Sequence, residues 1–319
     1  MDLLEITGLS TSFTTRSGVI KAVDNVSFSL MKGRVLGLVG ESGCGKTMTA
    51  LSILNLVPPP GRITAGKIMF EGRDLLTPSE PEMRKVRGAR ISMVFQEPMT
   101  ALNPVFTVGN QIGEVLTTHQ ATTSHEALDR SVELLRSVGI PSPEKRVHEY
   151  PHQLSGGMRQ RVMIAMAIAC RPSLILADEP TTALDVTIQA HILELLTRIQ
   201  SEMGMAMVLV THDLGLIAER AHEVAVMYAG RIVEQAETQE LFKDPLHPYT
   251  RGLMASIPRP GDERRGKLRT IAGTVPRLSD LPKGCTFAAR CDIRIDKCDT
   301  ELELVEVKPG HRVRCWKAM

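Results

Sequence analysis

The sequence has almost no surplus of charge and no long apolar run. Lys and Arg total 38 and Asp and Glu total 36 among 319 residues, so the formal net charge is +2. Such a balance excludes a polybasic nucleic-acid binder and an acidic tail. The longest unbroken apolar run, residues 162–170, has nine residues, whereas a membrane-spanning helix needs about 20. We therefore expect a chain without a membrane span.

Cysteine is also scarce. Six cysteines in a chain of this length are too few for a disulfide scaffold. The first ten residues, MDLLEITGLS, do not resemble a signal sequence that is charged and then apolar. These features predict a soluble, intracellular protein with reduced thiols. The cysteines are unevenly placed, because Cys44 and Cys170 stand alone while the other four lie in the last 35 residues.

The chain does contain enough apolar material for a sizeable core. Hydrophobic residues make up 43%, which excludes disorder, and the length suits about two domains. The pattern predicts strands at 3–13, 19–30, 35–39, 90–95, 174–177 and 205–210, a hairpin at 224–234, and helices at 46–57, within 107–146 and at 186–202. Strands that alternate with helices indicate an α/β protein whose parallel sheet is covered on both faces. Beyond Asp244 prolines become frequent and periodicity fades, which indicates a domain boundary.

A glycine-rich segment follows the predicted strand at 35–39. Residues 40–47 fit the pattern GxxxxGK[ST], and a predicted helix comes next. Glycines let backbone N–H groups converge on the β- and γ-phosphates of a nucleotide, and the helix N-terminus adds partial positive charge. Lys46 would bridge phosphate oxygens, and the Thr47 hydroxyl would ligate Mg²⁺. The predicted phosphate loop is thus Gly40, Glu41, Ser42, Gly43, Cys44, Gly45, Lys46 and Thr47.

A second acidic motif ends an apolar strand, LILADE at residues 174–179. Asp178 would hold Mg²⁺ at the carboxyl end of its strand, where ligands gather in open α/β sheets. Glu179 would polarise the attacking water as general base. A strand that runs into an acidic helix cap is common, so this motif gains its meaning from the phosphate loop.

The third motif is LSGGMRQR at residues 154–161. Ser155 can be interpreted simply as the cap of a helix spanning 158–170. The same residues, however, resemble the signature of ATP-binding-cassette (ABC) ATPases. The resemblance assigns Ser155, Gly156, Gly157 and Gln160 to nucleotide binding. It implies a composite site, in which this element of one subunit clamps the γ-phosphate held by the phosphate loop of another.

The family resemblance also implies roles for single residues elsewhere in the chain. Phe13 matches the aromatic that stacks on adenine, and Gln96 matches the loop glutamine that senses Mg²⁺ and the membrane subunits. Asp185 matches the aspartate loop at the dimer interface, and His212 matches the switch histidine at the γ-phosphate. Many relatives have a hydroxyl residue where this chain has Met48, so here only the backbone N–H would serve the α-phosphate. The implied catalytic set is Glu179, His212 and Gln96, and the implied Mg²⁺ ligands are Thr47, Gln96 and Asp178.

The resemblance implies a fold and a domain plan. The fold class is α/β: a RecA-like mixed-sheet core with an antiparallel β subdomain, a helical subdomain and a C-terminal cysteine-containing extension. We expect the ATP-binding core at 1–96 and 166–243, the helical subdomain at 97–165 and the extension at 244–319. We interpret Cys44 as a small residue that the phosphate loop tolerates. A second hypothesis is that the helix dipole lowers the pKa of its thiol and makes it sensitive to alkylation.

The C-terminal part carries a further resemblance. Residues 247–253 (HPYTRGL), followed by Ile257 and Pro258, and residues 101–104 (ALNP) resemble the dipeptide and oligopeptide permease branch of the family. Four clustered thiols in a reduced compartment favour metal ligation over disulfides. Their spacing does not choose the metal. Similar tails in this branch carry a [4Fe–4S] cluster, and the alternatives are Zn²⁺ or free thiols without a metal. The four are Cys285, Cys291, Cys298 and Cys315.

The function that the resemblance implies is ATP hydrolysis that powers uptake of di- or oligopeptides. The implied partners are a second ABC ATPase (a heterodimer, with a homodimer as the alternative), two transmembrane permease subunits and, indirectly, an extracytoplasmic peptide-binding protein, with no nucleic acid. The chain would lie peripherally on the cytoplasmic face of the inner membrane. Alternatives are a nickel, glutathione or other small-solute importer, a soluble ABC ATPase acting on DNA or ribosomes, and a redox-sensing module. The 57 residues between Gln96 and Leu154 leave no room for a long coiled coil, which disfavours the soluble ATPase.

Overall fold

The computed structural model describes residues 2–16, 18–181, 185–257 and 271–319. The chain divides into two compact units, Met1–Leu76 with Val210–Met319, and Thr77–Leu209. We call them the first and the second unit. In the described residues, no helix combines the length and apolar character needed to cross a bilayer. The domain limits expected from the sequence stay a prediction.

Strands and helices alternate along much of the chain. The strands are β1 (Asp2–Thr15), β2 (Gly18–Met31), β3 (Val35–Val39), β4 (Gly61–Phe70), β5 (Arg73–Asp74), β6 (Ile91–Val94), β7 (Leu174–Asp178), β8 (Ala206–Thr211), β9 (Glu223–Tyr228), β10 (Arg231–Glu237), β11 (Val305–Lys308) and β12 (His311–Val313). The α-helices are α1 (Lys46–Ile53), α2 (Glu80–Val86), α3 (Pro98–Ala101), α4 (Val108–His119), α5 (Ser124–Ser137), α6 (Pro143–Arg146), α7 (Gly156–Ile168), α8 (Val186–Met203), α9 (Leu214–Arg220), α10 (Thr238–Lys243) and α11 (Pro248–Ala255).

The first unit contains an antiparallel sheet in the order β2-β1-β4-β5. It also contains β3, all five residues of which are buried. This strand runs parallel to β9, and β9 pairs antiparallel with β10. A strand buried along its whole length reads as a continuous apolar run, which is why the sequence reveals it clearly.

The C-terminal hairpin of β11 and β12 extends the sheet that holds β3, β9 and β10, because β12 pairs with β10. Glu234 of β10 is fully buried and accepts hydrogen bonds from the backbone N–H groups of Leu246 and His247, at 2.6 and 3.0 Å. Its carboxylate also lies 2.8 Å from Nε2 of the fully buried His311. Polar pairing of this kind is what allows a carboxylate to stay in an apolar interior.

In the second unit, β6 runs parallel to β7, and helices α4, α5 and α7 pack on one another. Helix α5 begins with a capping box, in which Thr123 and Glu126 satisfy each other's backbone N–H groups. Parallel strands place their carboxyl ends at the same edge of a sheet, so the segments after β6 and β7 start side by side.

The predicted α/β class is confirmed, and the sheet is mixed, as the family resemblance implied, because β3 runs parallel to β9 and β9 runs antiparallel to β10. Some elements differ from expectation. Helix α1 ends at Ile53 and not at 57, because Leu54 closes the last turn and Asn55 adopts a left-handed φ of 50°. The pattern also missed β4, α11 and the hairpin of β11 and β12, which carry few consecutive apolar residues.

Candidate functional site

The predicted phosphate loop joins β3 to α1 in a conformation that requires glycine. Gly40, Gly43 and Gly45 have φ values of 153°, 77° and 107°. A Cβ on Gly40 would lie 2.2 Å from the carbonyl oxygen of Met227, and one on Gly45 would lie 2.4 Å from that of Ala22. The loop is therefore fixed by backbone contacts and by positive φ angles.

The start of α1 is suited to an anion. Gly45 forms the N-cap without a side-chain hydrogen bond, and the first turn carries no acidic residue. Lys46 is 5% exposed and folds back across the loop, where its Nζ donates to the carbonyl oxygens of Gly40 at 2.8 Å and Glu41 at 3.1 Å. Thr47 is exposed at the loop's end. A lysine amine and a helix N-terminus at one loop can together hold phosphate oxygens.

Cys44 is a buried residue of the loop, and its thiol is not activated. Its side chain is fully buried, and this burial raises the pKa of the thiol, although Lys46 Nζ lies 3.8 Å from Sγ and acts in the opposite direction. The hypothesis that the helix dipole lowers this pKa is wrong, because the loss of solvent outweighs the nearby positive charge. A protonated, buried thiol is a poor nucleophile.

Glu41 is held from two sides by residues that follow the predicted boundary at Asp244. Its backbone N–H donates to the Tyr249 hydroxyl at 2.8 Å. Its carboxylate oxygens pair with the two terminal guanidinium nitrogens of Arg290, at 2.7 and 3.1 Å. Sequence reasoning missed these partners. The only available signal was an acidic residue inside a loop meant for anions, which calls for a nearby cation.

An aromatic cluster of Tyr228, Tyr249 and Phe287 supports these contacts. Its ring centroids are 4.7 Å apart for the two tyrosines, and Phe287 lies 5.2 Å from Tyr228 and 5.4 Å from Tyr249. Neighbouring His247 caps α11, and its burial lowers the pKa of the imidazole to about 3. The histidine is therefore neutral, and the cluster is an apolar support for the loop.

In the second unit, the structure brings two of the three predicted catalytic residues together. Gln96 lies two residues beyond β6, Glu179 lies one residue beyond β7, and the Gln96 amide donates to the Glu179 carboxylate at 3.1 Å. Asp178, the last residue of β7, is 2% exposed. Glu179 has a left-handed φ of 43°. A non-glycine residue in this region is strained, and such strain is characteristic of functional sites.

The signature element forms the start of α7. Ser155 is the N-cap, and its hydroxyl accepts from the backbone N–H of Met158 at 3.3 Å. The helix therefore begins at Gly156, earlier than the predicted residue 158. A Cβ on Gly157 would lie 2.9 Å from Cγ2 of Ile188, so a larger residue would displace a neighbour. Gln160 is 1% exposed and belongs to the helix's buried face.

The remaining predicted residues are spread over both units. Asp185 is exposed and caps α8, where its carboxylate accepts from the N–H of Ile188 at 2.9 Å. Phe13 is half-buried in β1, and His212 is exposed directly after β8. Met48 is half-buried in α1. Residues 182–184, which complete the predicted aspartate loop, lie outside the described residues, as do Pro258 and its following segment.

The four C-terminal cysteines all line one cavity of the first unit, together with apolar side chains that include Phe287, Ile293 and Trp316. The backbone N–H of Cys285 donates to the carbonyl oxygen of Cys298 at 2.8 Å, which joins the two halves of the segment. Burial raises the pKa of Cys285 to about 11, and the other three thiols act in the same direction. Such mutual influence arises only between neighbouring groups. The cysteines therefore converge, as the clustering in the sequence suggested.

Convergence alone does not make a metal site. Within the described ranges there is no group of three or more His, Cys, Asp or Glu side chains arranged to hold a metal ion. A single Zn²⁺ needs four sulfurs at about 2.3 Å from one point, and the structure does not show that arrangement. The predicted metal site has no direct support in the structure.

Two family profiles match the chain. That of the ABC transporter family matches residues 23–182, which include the phosphate loop, Gln96, the signature and Glu179. The chain belongs to the ABC transporter family. A second profile, described as the C-terminal region of oligopeptide/dipeptide transporters, matches residues 233–298 of this ABC chain. The predicted family and branch are thus confirmed.

Similar proteins cover this ABC chain almost completely. A probable peptide ABC transporter ATP-binding protein of Sinorhizobium fredii is 51% identical over 99% of this chain and 95% of its own length. The dipeptide transport ATP-binding protein of Bacillus subtilis is 49% identical over 98% of this chain and 94% of its own length. A dimeric structure of a post-hydrolysis ATP-binding cassette bound to ADP and phosphate matches 74% of this chain and 98% of that one, at 27% identity and a TM-score of 0.66.

These similarities confirm the mixed α/β fold of an ABC ATPase and an ATP-hydrolysing transporter subunit. ABC cassettes work as dimers with transmembrane permease subunits, so the coarse prediction of partners is also confirmed. The roles of individual residues, the pairing of the ATPases and the nature of the cysteine cavity remain predictions.

Proposed function

We propose that this ABC ATPase powers the import of di- or oligopeptides. The observation that carries the proposal is the match of residues 233–298 to the C-terminal region of oligopeptide/dipeptide transporters. This segment includes Tyr249 and Arg290, both of which contact the phosphate loop through Glu41. The peptide-import names of relatives about half identical over nearly the whole chain support the same substrate class.

At the phosphate loop, the chain's own residues account for nucleotide binding. The amine of Lys46 exchanges its bonds to the loop carbonyls for bonds to phosphate oxygens. The N–H groups at the start of α1 point toward the same charge. The Thr47 hydroxyl and the Asp178 carboxylate suit Mg²⁺, a hard cation that prefers oxygen ligands. Phe13 offers a ring face for adenine, and Met48 contributes its backbone N–H.

Hydrolysis requires a base that is held in place before the water arrives. Glu179 fits this role, because Gln96 already orients its carboxylate and its backbone is fixed in a strained conformation. The Gln96 amide can also bond the water or reach the metal, so it links the hydrolytic group to the ion. His212 completes the proposed catalytic set as a contact to the γ-phosphate.

Dimerisation would complete the site. Ser155, Gly156 and Gly157 present a helix N-terminus without acidic residues in its first turn, which suits the far side of a γ-phosphate. Asp185 would lie at the same interface. Importers of this branch often use two different ATPases, and we favour a heterodimer over a homodimer on that resemblance.

The second unit exposes four large apolar side chains near Gln96, which suit contact with permease subunits. Phe95, Met99, Val105 and Phe106 are 40%, 63%, 70% and 48% exposed. Phe95 directly precedes Gln96 and the other three follow it within ten residues, so a membrane subunit bound there would lie near the segment that orients Glu179. This surface supports peripheral attachment at the cytoplasmic face of the inner membrane, with a peptide-binding protein on the other side.

For the cysteine cavity we propose a [4Fe–4S] cluster ligated by Cys285, Cys291, Cys298 and Cys315. Their convergence on one apolar cavity supports it; the bound cluster would cross-link a segment that has little regular structure of its own. Anaerobically purified protein should show a visible absorbance shoulder that reduction removes. A colourless protein with stoichiometric zinc would overturn the cluster.

A transport assay in reconstituted vesicles tests the proposed function. The chain is reconstituted with its permease and ATPase partners in vesicles, and ATP-dependent uptake of labelled di- and oligopeptides is measured beside uptake of Ni²⁺ and glutathione. We expect peptide uptake that Glu179→Gln reduces at least about 100-fold while ATP-bound dimers accumulate, because the base is lost and the binding groups remain. Uptake of Ni²⁺ or glutathione alone would favour the other importers. Unchanged turnover in Glu179→Gln would remove Glu179 as the base.

A further inference from the structure

The phosphate loop contains an electrostatic conflict. Glu41 places a carboxylate two residues after β3 ends, inside a loop that must receive the negatively charged phosphates of ATP. A negative side chain at such a position opposes the anion that the helix N-terminus attracts. A carboxylate that is paired with a cation opposes the anion less than an unpaired one does.

Arg290, which lies 249 positions further along the chain, supplies the neutralising charge. Its guanidinium makes a two-point contact with Glu41, and its side chain is only 4% exposed. A planar fork paired with a carboxylate fixes orientation as well as charge.

The position of Arg290 is itself fixed by its own segment. Its Nε donates to the carbonyl oxygen of Ala272 at 2.9 Å, and one terminal nitrogen donates to that of Gly273 at 3.3 Å. The guanidinium carbon lies 5.8 Å from the centroid of the Tyr228 ring and 5.9 Å from that of Phe287. These contacts hold the fork at one place, so it restrains the loop instead of following it.

The backbone of Glu41 is also held by a residue of the C-terminal segment. The Tyr249 hydroxyl accepts the N–H of Glu41, and Tyr249 is fully buried within the aromatic cluster. Meanwhile the carbonyl oxygen of Glu41 accepts from Lys46. One residue thus joins the phosphate-binding lysine to the C-terminal segment by its N–H, its carbonyl group and its carboxylate.

We infer that Arg290 is a positioning residue for the phosphate loop, which neutralises and holds Glu41 so that the loop accepts ATP. This inference rests on the proposed nucleotide-binding role of the loop. Arg290 directly precedes Cys291, so the residue that pairs with the phosphate loop belongs to the cysteine-lined segment.

The test is binding of a fluorescent, non-hydrolysable ATP analogue with Mg²⁺ to the purified full chain. Arg290→Gln should weaken binding about tenfold at low ionic strength, because it leaves the Glu41 carboxylate unpaired beside the phosphates. Adding salt should shrink this loss, since it screens like-charge repulsion. Arg290→Lys should give an intermediate loss, because an ammonium keeps the charge but not the two-point contact.

The double variant Arg290→Gln with Glu41→Gln gives the sharpest readout. It removes the unpaired carboxylate, so binding should return to within about threefold of the unaltered chain. If Arg290 acted only through its bonds to Ala272 and Gly273, the double variant would bind as weakly as Arg290→Gln, and the inference would be overturned. Unaltered binding by Arg290→Gln would overturn it as well.

Two controls separate the possible failures. Arg294→Gln removes an arginine of the same segment that is 49% exposed and paired with Asp299, and it should not change binding. Lys46→Ala tests the site itself: if it binds the analogue as the unaltered chain does, the proposed nucleotide site fails. If Lys46→Ala loses binding while Arg290→Gln keeps it, only the role of Arg290 fails. Melting temperatures of all variants show whether each is folded.

Discussion

Helices α1 and α7 both begin with a glycine-rich segment and have no acidic residue in the first turn, yet their N-termini are constructed differently. At α1 the shape comes from the backbone, with Gly45 at a left-handed φ and no side-chain cap. At α7 a side chain caps the helix, because the Ser155 hydroxyl accepts a hydrogen bond from the backbone N–H of Met158.

The difference shows two ways to prepare a helix N-terminus for an anion. A loop fixed by close backbone contacts is preorganised before any ligand arrives, so it suits the stronger and longer-lived contact. A serine cap satisfies one N–H group internally and can turn its hydroxyl toward a partner later. We therefore expect α1 to dominate nucleotide affinity and α7 to affect turnover in the dimer.

The largest effect is expected at the N-terminus of α1. Lys46→Ala should reduce ATP affinity about 100-fold or more, because it removes the only charged donor proposed for the phosphates. Titration with a fluorescent nucleotide measures it, and Lys32→Ala, on an exposed lysine, is the matched control. Affinity within about threefold of the unaltered chain would contradict the proposed nucleotide site at this loop.

A smaller effect is expected at the N-terminus of α7. Ser155→Ala should destabilise the chain by about 1 kcal/mol, the usual cost of a lost N-cap, and should lower ATPase turnover of the dimer about tenfold with little change in ATP affinity. Thr123→Ala, which removes the N-cap of α5, separates the two effects. It should match the loss of stability by urea unfolding and leave turnover unaltered. Equal turnover in both variants would reduce Ser155 to a structural cap.

The smallest effect concerns Cys44, a buried thiol in the loop before α1 that has no counterpart in residues 154–157 at the start of α7. Because burial raises the pKa of its thiol, a maleimide should label Cys44 in the folded chain at least about tenfold more slowly than in urea. Mass spectrometry of the labelled peptide measures the rates, and Cys44→Ser identifies the peptide. Equal rates in folded and unfolded protein would show that the loop opens freely.

Sequence patterns predicted the parts of this site that depend on local spacing. The phosphate loop, the end of β7 and the signature helix each occupy one short segment, so spacing and residue type were enough. The same local information predicted the strands β3, β7 and β8, which are buried throughout.

Contacts between distant segments were beyond that information. Arg290 and Glu41 are separated by 249 positions, and no local pattern reports such a pair. The hypothesis of a lowered pKa for Cys44 failed for a related reason. The dipole of α1 is readable from sequence, whereas the burial that outweighs it depends on how the folded loop packs, with Gly40 against the thiol and the distant Gly230 N–H bonded to the Cys44 carbonyl oxygen at 2.8 Å.

The buried carboxylate of Glu234 has a consequence for how such tails can be exchanged. Its three partners, Leu246, His247 and His311, all lie beyond the point where the sequence suggested a boundary. A chain cut after Lys243 would lose all of them, strand a charge in the interior and expose the edge of β10 to other chains. Grafting the tail of one relative onto the core of another would therefore preserve folding only when donor and recipient match at this carboxylate and its histidine.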